Sequence, residues 1–177
     1  ESMLGLALFR KDIDSHVQSL RETKAFTATG LPLQLAIDAC TAGPGYGNGC
    51  DENTDWQVTT PLNGPGGDLT GYEISYQMPF TFLPEFWNRF GFTGNYTHVK
   101  AQMDYINVTG AVLATRDLQG LSRSTIAATL YYEYEKLNAR VSLAKRDRYL
   151  TTAIGRDNND MEGTNATTNI DASLSYA

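Results

Sequence analysis

The sequence predicts an all-β chain: an antiparallel meander of six strands forming part of a large transmembrane β-barrel. Three observations predict it. Apolar and polar side chains alternate in run after run, whereas the 3.6-residue period of a helix is weak throughout. The connections alternate between short turns and long polar excursions, as the two rims of a membrane barrel do. Aromatic residues, 11% of the chain, gather beside the short turns, and rings of this kind prefer the level of lipid headgroups.

The first strand is expected near 2–20, where Leu4, Leu6 and Leu8 alternate with Met3, Gly5 and Ala7. A long loop, 22–67, follows, holding both cysteines, Trp56 and a string of Gly, Pro, Asn and Asp, residues that punctuate regular structure. The second strand, near 68–82, has the clearest pattern. In GYEISYQMPF, Tyr72, Ile74, Tyr76, Met78 and Phe80 fall on one side and Glu73, Ser75 and Gln77 on the other, because successive side chains of a strand point to opposite faces. That apolar side covers nine residues, close to the roughly 9–11 that a tilted transmembrane strand needs.

A turn at 83–88 leads to a third strand near 89–104, with Phe90, Phe92, Tyr96 and His98 opposite Thr93, Asn95 and Thr97. After a loop at 106–120, the fourth strand, near 122–136, sets Ile126, Ala128, Leu130, Tyr132 and Tyr134 against Thr125, Thr129, Glu133 and Glu135. A turn at 136–138 gives the fifth, near 138–151, with Ala139, Val141 and Leu143 opposite Arg140, Ser142 and Ala144. Beyond a loop at 153–166, the sixth, near 167–177, alternates Ile170, Ala172, Leu174 and Tyr176 with Asp171, Ser173 and Ser175. The three loops are expected at the cell surface and the two turns in the periplasm.

A formal charge of −6 argues against nucleic-acid partners, since sequence-independent binding rests on Lys and Arg neutralising phosphates. No apolar run approaches the ~18 residues of a transmembrane helix, which leaves a barrel open. The chain begins on Glu-Ser with no signal peptide and stops within the pattern of DASLSYA, so a fragment of a larger protein is expected. A soluble, secreted, glycan-binding β-sandwich would share the alternation. Tyrosines on the apolar faces, which need a wet end, polar groups at strand centres and the alternating loop lengths weigh against it.

Cys40 and Cys50 flank the turn-rich CTAGPGYGNGC and suit a disulfide in an oxidising compartment, worth roughly 3 kcal/mol by loop-closure entropy; two free thiols are the alternative.

In order, LALFRKDIDSHVQS, GYEISYQMPFTFLP, FGFTGNYTHV, LSRSTIAATLYYE, ARVSLAKRDRYL and EGTNATTNIDASLSY resemble the C-terminal part of the barrel of a TonB-dependent outer-membrane receptor. The resemblance covers most of the chain apart from the cysteine loop, and its specificity lies in the combination. It implies a barrel of about 22 strands around an N-terminal plug, with these strands standing eighth- to third-from-last. It further implies the outer membrane of a Gram-negative bacterium, contact with lipid and lipopolysaccharide, a small nutrient as substrate, and no cofactor. Plug and TonB would be met through the N-terminal part, so no TonB box is expected here. Arg10 and Lys145 continue the lipid-facing parity where an apolar residue is usual. A bulge that switches parity is expected at each, with stems reaching lipopolysaccharide phosphates as the alternative.

Within such a transporter the chemistry is recognition rather than catalysis. Tyr72, Ile74, Tyr76, Met78, Phe80, Phe90, Phe92, Tyr96, Leu130, Tyr132 and Tyr134 are the expected lipid-facing set, and Glu73, Gln77, Asn95, Glu133 and Arg140 the lumen-facing substrate contacts. Trp56 among Asp51, Glu52, Asp55 and Asn63 suits a sugar stacked on an aromatic plate and donating hydroxyls to acids; a loop anchored by its own Trp is the plainer reading. This places carbohydrate ahead of ferric siderophore. His16 and His98 are too far apart for a metal site, DNNDMEG lacks the ligand spacing of a calcium loop, and GPGYGNG lacks the strand and helix of a phosphate loop. The sequons at Asn107 and Asn165 matter only in a eukaryotic secretory setting. A barrel hydrolase would need a Ser-His or Asp-His pair on the lumen face.

Overall fold

The computed structural model describes residues 1–41, 54–155 and 161–177. Its main sheet runs through β1 (Met3–Ala25), β2 (Asp55–Pro79), β3 (Phe90–Ile106), β5 (Ser124–Tyr134), β6 (Leu137–Arg146) and β9 (Thr167–Tyr176) in that spatial order. Every neighbouring pair in that path is antiparallel. The short β4 (Val112–Asp117) folds back on the end of β3. β7 (Tyr149–Thr152) and β8 (Glu162–Thr164) pair with each other between β6 and β9. β1 and β9 are the two edges and do not pair with one another.

Several boundaries differ from the sequence reading. The stretch expected as a loop, 22–67, is strand at both ends, 22–25 and 55–67: β1 and β2 pair in one register from Met3↔Gln77 to Ala25↔Asp55. Gly and Pro in PLNGPGGD mimic a loop, yet β2 before Leu69 pairs only with β1 among the described residues, and a strand paired on one side only tolerates Pro61 and Pro65. The connection also contains α1 (Leu33–Thr41), begun after Pro32, a position whose missing N–H a helix start does not need. The loop at 106–120 contains β4, and that at 153–166 contains β8. The strand expected to reach 151 stops at Arg146. The expected strands at 68–82 and 122–136 end at Pro79 and begin at Ser124 respectively.

Register fixes which residues share a face, because residues directly opposite point the same way. One face carries Leu4, Leu6 and Leu8, opposite Tyr76, Ile74 and Tyr72. Ile74 and Met78 lie opposite Tyr96 and Phe92, which lie opposite Ile126 and Leu130. Leu130 pairs with Val141, which pairs with Ala172. The other face carries Glu73, Ser75 and Gln77 opposite Thr97, Asn95 and Thr93, then Thr129 and Ser142, with Asp171 opposite Ser142. The apolar face is bare: Leu8 is 77% exposed, Ile170 71% and Leu174 74%. No second sheet covers it among the described residues.

The buried core is small and lies on the polar side, at the end of the sheet away from the two turns. Ala101, Met103 and Tyr105 of β3 are covered there by Ala153, Leu118, Leu121, Leu150 and Ile154.

Candidate functional site

The apolar face ends in aromatic residues at the turns and in charge at the opposite end. At the β2–β3 turn, Phe86 meets Trp87, Phe90 and Tyr132 with ring centroids 5.3–5.4 Å apart. Phe80 meets Phe82, and the Arg89 guanidinium lies 3.3 Å from the ring centre of Tyr134. Tyr72 to Phe80, nine residues, spans about 27 Å along the strand and about 20 Å along the axis of a barrel with tilted strands. The charged row follows: Arg10 and Thr70 are paired, as are Thr70 and Lys100. Arg10 bonds Asp12 and Asp68 at 3.1 Å each. No bulge separates Leu8 from Arg10, nor Leu143 from Lys145; the parity switch expected at both positions is absent. Two carboxylates accommodate Arg10 on the apolar side instead, and Lys145 stays exposed beside Ile126.

On the polar face, four of the five expected contacts join two networks. Asn95 donates to Glu73 at 2.6 Å and to Ser75 at 3.1 Å, and receives Thr97 Oγ1 at 3.1 Å. Arg140 reaches Glu133 at 3.6 Å, with both side chains largely exposed. Gln77 lines a shallow depression of about 240 Å³ with Met3, Thr93 and Asn95.

Of the aromatic plate expected among acids, Trp56, Asp55 and Asn63 fall among the described residues. Trp56 lies in β2 opposite Lys24 and packs edge-on to Phe26 at 5.2 Å, as the anchor of its own hairpin. Asn63 is seven residues further along the strand, opposite Val17, too far to share a ligand with it. Asp55 is exposed opposite Ala25. Asp51 and Glu52 lie outside the described residues, as do Cys50 and the pairing expected of it with Cys40, the GPGYGNG loop and most of DNNDMEG.

The sequence did not reveal an open cleft of about 600 Å³ at the end of the sheet away from the two turns, bounded on one side by residues 18–23 and Gln57 and on the other by 105–108, Leu113, Gln119, 151–152 and 154–155. Its far wall is a single tied unit. Gly120 N–H donates to Leu150 O at 2.7 Å, Arg116 to Ala153 O at 2.7 Å, and Arg146 to Ser122 Oγ at 2.6 Å and Gly120 O at 2.7 Å. Tyr105 donates to Asp117 O and accepts from Gln119 N–H. Burial pushes its phenol above the ordinary value, against the lowering effect of the Gln119 bond. The near wall carries Arg21, which has no ion-pair partner among the described residues. The cleft joins segments distant in sequence, so no local motif marks it.

No group of three or more His, Cys, Asp or Glu is arranged to hold a metal among the described residues. His98 Nδ1 lies 3.0 Å from Ser124 Oγ, which Tyr96 Oη also approaches at 3.4 Å. This pair sits on the apolar face, opposite to where a lumenal hydrolase would need it, and no carboxylate bonds the other ring nitrogen among the described residues.

Neither a curated protein nor a solved structure matches the chain. The family model for the TonB-dependent receptor-like β-barrel matches residues 1–177, and the bare apolar face, the polar face behind it and the aromatic turn are what such a wall requires. The chain belongs to the TonB-dependent receptor β-barrel family.

Proposed function

We propose that this chain is wall and outer rim of an energised outer-membrane transporter for a scarce nutrient, with carbohydrate ahead of ferric siderophore. Membrane lipid covers the apolar face, including Tyr72, Ile74, Phe92, Leu130 and Tyr132. The polar face lines the lumen, with Glu73, Asn95, Glu133 and Arg140 toward plug or passing substrate. The nutrient first meets the protein at the outer cleft, and the chemistry is recognition, with no bond made or broken. Plug and TonB act through the rest of the receptor, and lipopolysaccharide meets the charged row at Arg10, Lys100 and Lys145.

The observation that carries this reading is the continuous apolar face, exposed on β1, β2, β5, β6 and β9 and half-buried on β3. In water so large a patch would drive association; in a bilayer it needs no protein partner. Carbohydrate comes first on the cleft: Gln57, Asn107 and Gln119 offer amides and Ser19, Thr23 and Thr151 hydroxyls, groups that pair with sugar hydroxyls in both directions. A ferric siderophore, commonly anionic, would find Arg21 as the one cation lining the cleft among the described residues.

The test uses the full-length receptor. Membrane fractionation should leave it in the outer membrane until detergent is added, and a deletion strain should lose energy-dependent uptake of labelled oligosaccharides. Secretion as a soluble protein would remove the barrel reading. Loss of ferric-siderophore uptake with oligosaccharide uptake intact would remove the carbohydrate assignment alone.

A further inference from the structure

The outer half of the β1–β2 hairpin is attached to the sheet differently from the rest. From Leu69 onward, β2 is held on both sides. Before it, residues 55–68 form with 12–25 a ribbon that has no third strand in its ladder among the described residues. At the root of this ribbon the Asp14/Gly66 pair drops out of the otherwise unbroken ladder. A Cβ at Gly66 would collide with the Ile13 carbonyl, so the strands come unusually close there. The side facing β3 changes parity at this point: Ile13 packs on the Met103 core, whereas beyond it His16 meets Tyr105 edge-on at 5.6 Å and Gln18 turns inward.

Gln18 is 4% exposed and crosses over β2 to reach β3. Its Nε2 donates to Asp104 O at 2.7 Å, and its Oε1 accepts from Ile106 N–H at 3.1 Å. The side-chain amide thus takes the two backbone bonds a neighbouring strand would have made. It passes over Gly64, where any Cβ would collide with the amide. The same Gln18 begins the near wall of the cleft, and Tyr105 and Ile106 begin the far wall.

We propose that the outer half of β1–β2 is a hinged arm, with its hinge at Asp14/Gly66, and that Gln18 is the latch that closes it against β3 across the cleft. Releasing the latch widens the cleft without disturbing the wall below Leu69. That the cleft admits substrate rests on the reading in the preceding section; the hinge and latch do not.

The experiment uses the intact receptor in outer-membrane vesicles. Thr59 and Val108, on arm and far wall, are replaced by a ketone-bearing amino acid for spin labelling, which spares the native cysteines. In Gln18→Ala the inter-label distance is expected to lengthen and broaden, and amide exchange at Ile106 to quicken about tenfold, as for loss of one net hydrogen bond. Gly64→Ala should do the same without altering Gln18, while Ser19→Ala should do neither. Both variants must still assemble heat-modifiable barrels; if Gln18→Ala does not, Gly64→Ala decides. An unchanged distance and unchanged Ile106 protection in the assembled variants would overturn the latch. A released arm with unchanged nutrient uptake would keep the latch and remove the cleft as the substrate's route.

Discussion

Tyr131 folds its ring over Gly91, the residue directly opposite it on the neighbouring strand, and fills the space that any side chain at 91 would occupy. Gly91→Ala should therefore lower the unfolding free energy of the intact barrel by about 1–3 kcal/mol, the range for overpacking. Adding Tyr131→Ala should return most of that loss. Urea unfolding of the four members of the cycle measures the coupling, and additive effects would show that the ring does not confine Gly91.

Lipid contact has a depth signature. Ile74→Lys, within the apolar face, should cost about 2–4 kcal/mol, whereas Thr70→Lys, on the charged row beside Arg10, should cost about 0–1 kcal/mol. Equal costs at both positions would mean that the face meets something other than a bilayer.

Asn95 stands between Glu73 and Ser75. Asn95→Asp places two carboxylates within hydrogen-bonding distance in a half-buried setting, and about 1–2 kcal/mol of stability should be lost at pH 7. The penalty should fade below about pH 4 as the acids take up protons. A penalty that is the same at pH 4 and pH 7 would rule out charge repulsion as its source.

Burial raises the Tyr105 phenol above its ordinary value of 10.0. The stability this gives the outer loops is present below pH 10 and is lost as pH rises through the raised folded value. Limited proteolysis between 118 and 123 should accelerate in that alkaline window. Tyr105→Phe should cut faster at neutral pH, having lost the bonds to Asp117 and Gln119, and should lose most of the alkaline acceleration.

The two-residue connection from Tyr134 to Leu137 holds Glu135 at φ 49°, a left-handed backbone that costs a non-glycine residue about 1–2 kcal/mol. Glu135→Gly should raise barrel stability by about 0.5 kcal/mol once the greater freedom of an unfolded glycine is subtracted. Glu135→Val should lower it. Heat-modifiability on gels orders the three proteins, and any other order would overturn the assignment of strain to this residue.

The parity of Tyr72, Ile74, Tyr76 and Met78 was legible because one side of that strand is apolar and the other polar, and register then carried the same division across the sheet. The outer half of β2 and the end of β1 beyond Leu20 were not legible. Both of their sides are polar, so alternation vanishes, and Gly64, Pro65, Gly66 and Gly67 read as a turn when they are in fact a strand crossed by Gln18. Arg10 read as a parity error because its partner Asp68 is 58 residues away. Trp56 and Asn63 read as neighbours because loops compact their residues, whereas a strand holds them far apart. The cleft needed four separated segments brought together, which no single window of sequence contains.

The sheet has no crossover: each strand of its main path lies beside the one that precedes it along that path. A chain of this kind can be assembled in the order in which it is threaded, each arriving strand finding its partner already present as an open edge. The only loop closures required are those of successive hairpins, the least costly in entropy, and low sequence separation between partners favours speed. The edge that would be a hazard in a finished soluble protein is, during insertion, the template on which the next strand is laid.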